Sequence, residues 1–219
     1  PLHRQAALKT EEGELALAQE KYFPAGEAYK EAIDAFQKFT ATGQPIPLEE
    51  LYYENGAFTG GSAYGQSLLA NFKVAYAGVL QHLKNYDQAL QELDEALAMQ
   101  PSLASAHILR GDLLVQQGRT RDALVSRQRA AELEPSPQRL YDLGLAYLKL
   151  DEVEPAIDAF KQVENSKEIN NRSDYWAGFG QAYQKSKNYS AARAAYKRGL
   201  QLNPSDPDLQ KALADSFLS

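Results

Sequence analysis

Apolar residues in this chain recur with the 3.6-residue period of helices rather than the two-residue period of strands. From about residue 70 onward the same design returns. A small residue sits mid-helix at Ala77, Gly111, Gly144 and Gly180, and three positions later comes a large apolar one, Leu80, Leu114, Tyr147 and Tyr183. A short polar turn follows. An alanine then stands early in a second helical stretch, at Ala89, Ala123, Ala156 and Ala192, with Leu93, Arg127, Phe160 and Tyr196 four residues on. Pro101, Pro135 and Pro204 close three of these second stretches, the first two of them 34 residues apart. Proline lacks the N–H a helix needs and disfavours helical geometry just before it. Pro24 and Pro155 fall near the starts of second stretches, where proline is tolerated. The pattern predicts an all-α chain of helix pairs. Each pair leaves one apolar face uncovered, so neighbouring pairs must stack to bury it.

These residues resemble the tetratricopeptide repeat (TPR) family. In the stretch from Trp176 to Pro204, Phe179, Gly180, Tyr183, Tyr189, Ala192, Tyr196 and Leu200 also match the family pattern. The preceding unit matches at Leu143, Gly144, Tyr147, Ala156 and Phe160. The resemblance implies a right-handed superhelix of antiparallel helix pairs. On that basis we expect a divergent hairpin over 1–39, matched through Gly13, Tyr22, Ala25, Tyr29 and Ala32, an insertion over 40–69, four units over 70–206 and a capping helix over 207–219. The cap is expected to bury Leu209, Ala212, Leu213 and Phe217 on one face. Arg127 stands where a bulky apolar residue is usual, so its stem is expected to pack while its head reaches water. The unit 137–172 is lengthened after Phe160.

The insertion breaks the period. Its proline pair and glycine cluster are loop signals, with a short helix expected from about Pro47 to Glu54. Its aromatics, Tyr52, Tyr53, Phe58 and Tyr64, have two readings: they pin the segment to neighbouring helices, or they touch a partner.

Composition narrows the function. The chain has 219 residues, 44% hydrophobic and 24% charged, and a mean hydropathy of -0.50. A net charge of -6 argues against nucleic acid as partner, since phosphates demand a basic face. With no cysteine, disulfides and thiolate chemistry are excluded. No apolar run reaches the ~18–20 residues of a membrane span. The chain opens at Pro1 rather than Met, so membrane attachment is expected only through a segment outside these residues. His3, His82 and His107 share no metal-ligand spacing. Gly178–Gly180 lacks a preceding strand, and the glycines of 59–65 lack the Lys-Ser/Thr of a phosphate loop. Arg110–Asp112 spells an integrin-type triplet, but Gly111 is a packing glycine expected inside a helix. The sequons at 171–173 and 188–190 matter only in a secreted eukaryotic chain. Nothing assembles a catalytic set, so no enzyme, cofactor or metal is expected.

The resemblance further implies that first helices line a concave groove for a peptide or helix of another protein. Carried over, it places Asn71, Val74, Gln81 and His82, then Asp112, Val115 and Gln116, then Tyr141, Leu145, Leu148 and Lys149, then Asp174, Gln181, Gln184 and Lys185 on that face. Co-chaperone members clamp a terminal carboxylate with Lys, Asn and Arg; here Thr10, Glu14, Ala75, Ser105 and Leu109 stand at those positions, so that role is not expected. Charge is uneven: residues 173–204 carry Lys185, Lys187, Arg193, Lys197 and Arg198 against Asp174 alone, while 6–69 hold an excess of carboxylates. The expected function is a protein-interaction scaffold in a bacterial multiprotein or envelope assembly. A self-associating structural array is the alternative. The compartment stays open between periplasm or membrane surface and cytoplasm.

Overall fold

The computed structural model describes residues 2–42 and 61–218. Among the described residues all regular structure is helical. Helix α1 (Leu2–Ala18) pairs with α2 (Tyr22–Ala41), and α3 (Gly61–His82) with α4 (Tyr86–Met99). Helix α5 (Ala104–Gln116) leads through a tight turn into α6 (Thr120–Leu133). Helix α7 (Pro137–Lys149) pairs with α8 (Val153–Val163), and the single turn α9 (Lys167–Asn170) leads to the pair α10 (Ser173–Lys185) and α11 (Tyr189–Leu202). Helix α12 (Pro207–Leu218) packs on α11. The chain divides into two compact units, Pro1–Leu113 and Leu114–Ser219.

One backbone device closes every hairpin. The residue ending each turn is left-handed: Glu20, Lys84, Gly118, Asp151 and Lys187, with φ between 57° and 74°. The next residue donates its N–H back across the helix end, from Lys21 to Ala16, Asn85 to Leu80, Arg119 to Leu114, Glu152 to Tyr147 and Asn188 to Tyr183, at 2.8–2.9 Å. This is the Schellman closure, which satisfies carbonyls the helix end would leave bare. Second helices then stop just before Pro101, Pro135 and Pro204, as the sequence predicts. Ser136 caps α7 through the Arg139 N–H, with Pro137 in the first position.

In the first unit, Phe36 of α2 meets Phe72 of α3 edge-on, with ring centroids 5.8 Å apart. The glycine cluster expected to be loop lies partly inside α3, which begins at Gly61. Gly65 is buried against Phe36 and Thr40 of α2, so it serves close helix approach rather than a turn. The short helix expected at Pro47–Glu54, and Tyr52, Tyr53 and Phe58, lie outside the described residues; the backbone of Tyr64 belongs to α3. Lys73 is 3% exposed and donates to Glu92 at 2.6 Å and Glu95 at 2.7 Å on α4. The Arg110–Asp112 triplet is helical, with Gly111 buried and Arg110 paired to Asp94.

The second unit is built on aromatic rings. Tyr141, Phe160, Tyr175 and Phe179 form one buried cluster with centroids 5.7–6.2 Å apart, flanked by Trp176 and Tyr183. The buried Tyr175 hydroxyl donates to the Phe160 carbonyl at 3.0 Å, and burial pushes its pKa upward. Glycine seats these rings. A methyl group on Gly144 would lie 2.7 Å from Phe160, and one on Gly180 would collide with the Tyr196 ring. Arg127 is half-buried and reaches the Asp142 carbonyl of α7 at 3.4 Å. The residues added after Phe160 form α9, whose Ile169 is fully buried in the aromatic cluster. One expectation fails on α12: Leu209 is buried and Ala212 and Leu213 half-buried, but Phe217 is 62% exposed. Its ring lies towards Arg193 of α11 rather than under the helix.

Candidate partner-binding face

In the second unit, α7 and α10 present a common face whose polar residues are joined across the repeat spacing. Arg172, just before α10, donates to Gln138 of α7 at 2.7 Å and grips both oxygens of Asp174 at 3.1 and 2.6 Å. Its guanidinium lies 4.6 Å over the Tyr141 ring. The Tyr141 hydroxyl donates to Asp174 at 3.1 Å, and Gln138 also donates to Asp142 at 2.9 Å. The Arg172 hydrogen bond, assisted by charge, holds the Asp174 carboxyl below its usual pKa against the opposing effect of burial. Burial, then the charge of Asp174, pushes the Tyr141 hydroxyl up to about 12. Further along the face Lys185 of α10 pairs with Asp151 in the α7–α8 turn.

Between these tethers lie side chains with free surface. Leu145 is half-buried against Gly178, where an added methyl would come within 3.2 Å of it. Lys149 and Gln181 are exposed and Gln184 half-buried. Tyr141, expected to line an open groove, is instead 3% exposed. The lengthened connection brings Arg172 over its ring, and only its hydroxyl edge reaches the polar row. Leu148 is buried at 7% exposure, so it supports the face from below.

The expected face residues of the first unit are more scattered. Asn71 is exposed, and Val74 and Gln81 are half-buried on α3. His82 stacks on Tyr22 of α2, centroids 4.3 Å apart and planes 13° off parallel, which commits its ring to the neighbouring hairpin. Asp112 is half-buried on α5; Val115, half-buried, and Gln116, exposed, follow on the same helix within the second unit. The structure thus brings Leu145, Lys149, Asp174, Gln181 and Lys185 onto one pair of helices.

Arg172, Gln138 and Asp151 did not stand out as candidates in the sequence. A signal existed: Arg172 follows Gln138, and Lys185 follows Asp151, by 34 residues each. Among the described residues no cluster of three metal-ligating side chains forms, and no helix is long and apolar enough to cross a membrane.

Repeated hairpins with small-residue seats and a shared turn closure define an α-helical repeat protein. The sequence pattern of the tetratricopeptide repeat matches residues 79–138, 109–168 and 173–216. The chain belongs to the tetratricopeptide repeat family. No curated protein matches it in sequence. Its fold is similar to that of a tetratricopeptide repeat protein from Parabacteroides merdae ATCC 43184, with a TM-score of 0.70, 16% identity and coverage of 98% of this chain and 73% of that one. It is also similar to MamA protein, with a TM-score of 0.67, 16% identity and coverage of 91% and 92%. A third likeness is YrrB, described as a TPR protein with an unusual peptide-binding site, with a TM-score of 0.63, 19% identity and coverage of 68% and 76%. At these identities the likeness concerns the fold. Proteins of this family generally serve as protein–protein interaction scaffolds and are generally not enzymes.

Proposed function

We propose that the chain is a scaffold whose α7–α10 face holds a peptide or helix segment of a partner protein within a bacterial multiprotein or envelope assembly. The observation that carries this reading is the Arg172 bridge from Gln138 to Asp174. It fixes adjacent repeats in register and leaves Leu145, Gln181 and Lys149 aligned on a preorganised surface. Preorganisation lowers the entropy cost of binding, and a half-buried leucine ringed by polar groups suits an amphipathic ligand. YrrB offers a precedent for peptide binding in a related fold. The test is affinity capture from source cells with the wild-type chain and with Lys149→Glu. Lys149 is the better probe, because Lys185 is already paired with Asp151. A specific partner lost on charge reversal supports the assignment; equal capture by both chains removes this face from it.

The alternative, self-association, draws support from α1. Leu8 and Leu15, two turns apart on that helix, are 60% and 62% exposed. Sedimentation at rising concentration decides: a chain monomeric at the highest concentration excludes it.

A further inference from the structure

Hydrogen-bond capacity on the α7–α10 face is unevenly spent. An ionised carboxylate offers about four acceptor sites. At Asp174 four donors fill them: Arg172 Nε and the Tyr175 backbone N–H on Oδ1, at 3.1 and 3.0 Å, and Arg172 Nη2 and the Tyr141 hydroxyl on Oδ2, at 2.6 and 3.1 Å. That carboxylate is neutralised and saturated, so it holds the repeats together and has nothing left for a ligand. Gln138 spends its oxygen on Arg172 and an amide hydrogen on Asp142. The other end of the face differs. Lys149 is exposed and has no partner among the described residues. Lys185 donates to Asp151, and an ammonium has further hydrogens to give. The oxygen of Gln184 accepts from the buried Tyr196 hydroxyl at 2.7 Å, which leaves its amide hydrogens unspent. Gln181 is exposed and uncommitted both as donor and as acceptor. What remains beside the half-buried Leu145 is therefore almost entirely donors, with Lys149 and Lys185 cationic.

We propose that the ligand of this face is an acidic peptide segment, which sets an apolar side chain on Leu145 and a carboxylate among Lys149, Gln184 and Lys185. The inference rests on α7–α10 being the binding face and adds the chemistry of what it binds. Complementarity decides between ligands. A basic segment would meet two ammonium groups and find no carboxylate to answer it: Asp174 is saturated, Asp142 accepts from Gln138, and Asp151 is held by Lys185. A wholly apolar segment would cover the Lys149 ammonium with no counter-charge, and burying an unpaired charge is costly. A carboxylate accepts charge-assisted hydrogen bonds from the lysines and an ordinary one from the Gln184 amide. Lys149 and Lys185 stand at the same distance past the Gly144 and Gly180 seats, so successive units present their cations alike. Leu145 and Lys149 are neighbours one turn apart on α7, so the ligand's acid should lie within about four residues of its apolar anchor.

The test is selection of a displayed library of random short peptides on the 219-residue chain, followed by anisotropy titration of the enriched peptides in labelled form. Enriched peptides should carry Asp or Glu close to Leu, Ile or Phe. Their affinity should fall at least about tenfold with Lys149→Glu, and it should fall with added salt. Exchanging the peptide's acid for lysine should restore binding to the Lys149→Glu chain. Lys197→Glu makes the same change of charge at an exposed position of α11 and should leave affinity unchanged. Each variant should retain the wild-type helical circular dichroism. Neutral or basic peptides that lose binding with Leu145→Arg but not with Lys149→Glu would overturn the acidic ligand and keep the face. Failure of the charge exchange to restore binding would overturn the placing of the carboxylate at Lys149. Peptides indifferent to both substitutions, or no enrichment at all, would overturn the face and this inference with it.

Discussion

Lys73 occupies the position where later repeats place His107, Leu140 and Trp176. It carries its charge into the α3–α4 hairpin and survives there because two carboxylates meet it. Burial disfavours its charge, yet its hydrogen bonds to Glu92 and Glu95 outweigh that and raise its pKa. The Lys73 hydrogen bond in turn lowers the pKa of Glu95, against a smaller opposing effect of burial. Truncating one partner of a buried pair leaves an uncompensated charge and costs about 3–5 kcal/mol; the half-exposed Glu95 places Lys73→Ala at the low end. Urea denaturation of the variant measures this. The pH dependence follows from the directions. The folded pKa of Glu95 is depressed, so its contribution is present above the ordinary carboxylate value of 4.5 and lost as pH falls through the folded value. The folded pKa of Lys73 is raised, so its contribution is present below 10.5 and lost as pH rises through the folded value. Lys73→Ala should flatten both limbs of the stability profile. None of this was legible beforehand, because apolar periodicity treats a lysine between apolar neighbours as a solvated position.

At the scale of elements, the hairpins were legible and their connections less so. Gly144, Gly180, Phe160 and Tyr196 announced the packing of α7 with α8 and α10 with α11, since close helix approach needs a small residue opposite a ring. The turns hid their common geometry because only Gly118 among them is glycine. For other residues a left-handed conformation costs about 1–2 kcal/mol, against a glycine flexibility penalty of about 0.5–1 kcal/mol. Lys187→Gly should therefore stabilise the chain by about 0.5–1 kcal/mol, and Gly118→Ala should destabilise it by about 1 kcal/mol. Thermal and urea melts of the two variants, shifting in opposite directions, check this. The candidate face was only half visible. Lys149, Gln181 and Lys185 could be placed from their positions on first helices, but Arg172 lies in the lengthened connection, and its reach back to Gln138 is a tertiary fact. The same reach explains why Tyr141 is covered. On α12, the apolar spacing marked a buried face correctly for Leu209 but could not tell it from the adjacent face on which Phe217 lies.

For the whole molecule, charge is the most direct reading. The chain carries -6 at neutral pH with a pI near 5.2, and repulsion between copies falls as that pH is approached. Light scattering should therefore show self-association rising as pH is lowered from about 7 towards about 5, before the Glu95 contribution to stability is lost. If exposed Leu8 and Leu15 mediate that contact, Leu8→Lys with Leu15→Lys should suppress it; scattering unchanged by the pair would place the contact elsewhere.

A chain built from near-copies of one hairpin faces a matching problem: each first helix meets several second helices of similar shape before it settles. The buried Lys73 answers it for α3. Among the described second helices only α4 offers carboxylates at both facing positions; the equivalents of Glu92 and Glu95 are Ala28 and Glu31 on α2, Ser126 and Arg129 on α6, Ala159 and Gln162 on α8, and Ala195 and Arg198 on α11. Closing on α6 or α11 would set lysine beside arginine, and closing on α8 would strand it. The ion cluster should therefore disfavour wrong neighbours during folding. Neutralising the cluster through the triple substitution Lys73→Met, Glu92→Gln and Glu95→Gln should leave a folded chain. Its stopped-flow refolding should acquire an additional slow phase as mispaired hairpins unpick themselves.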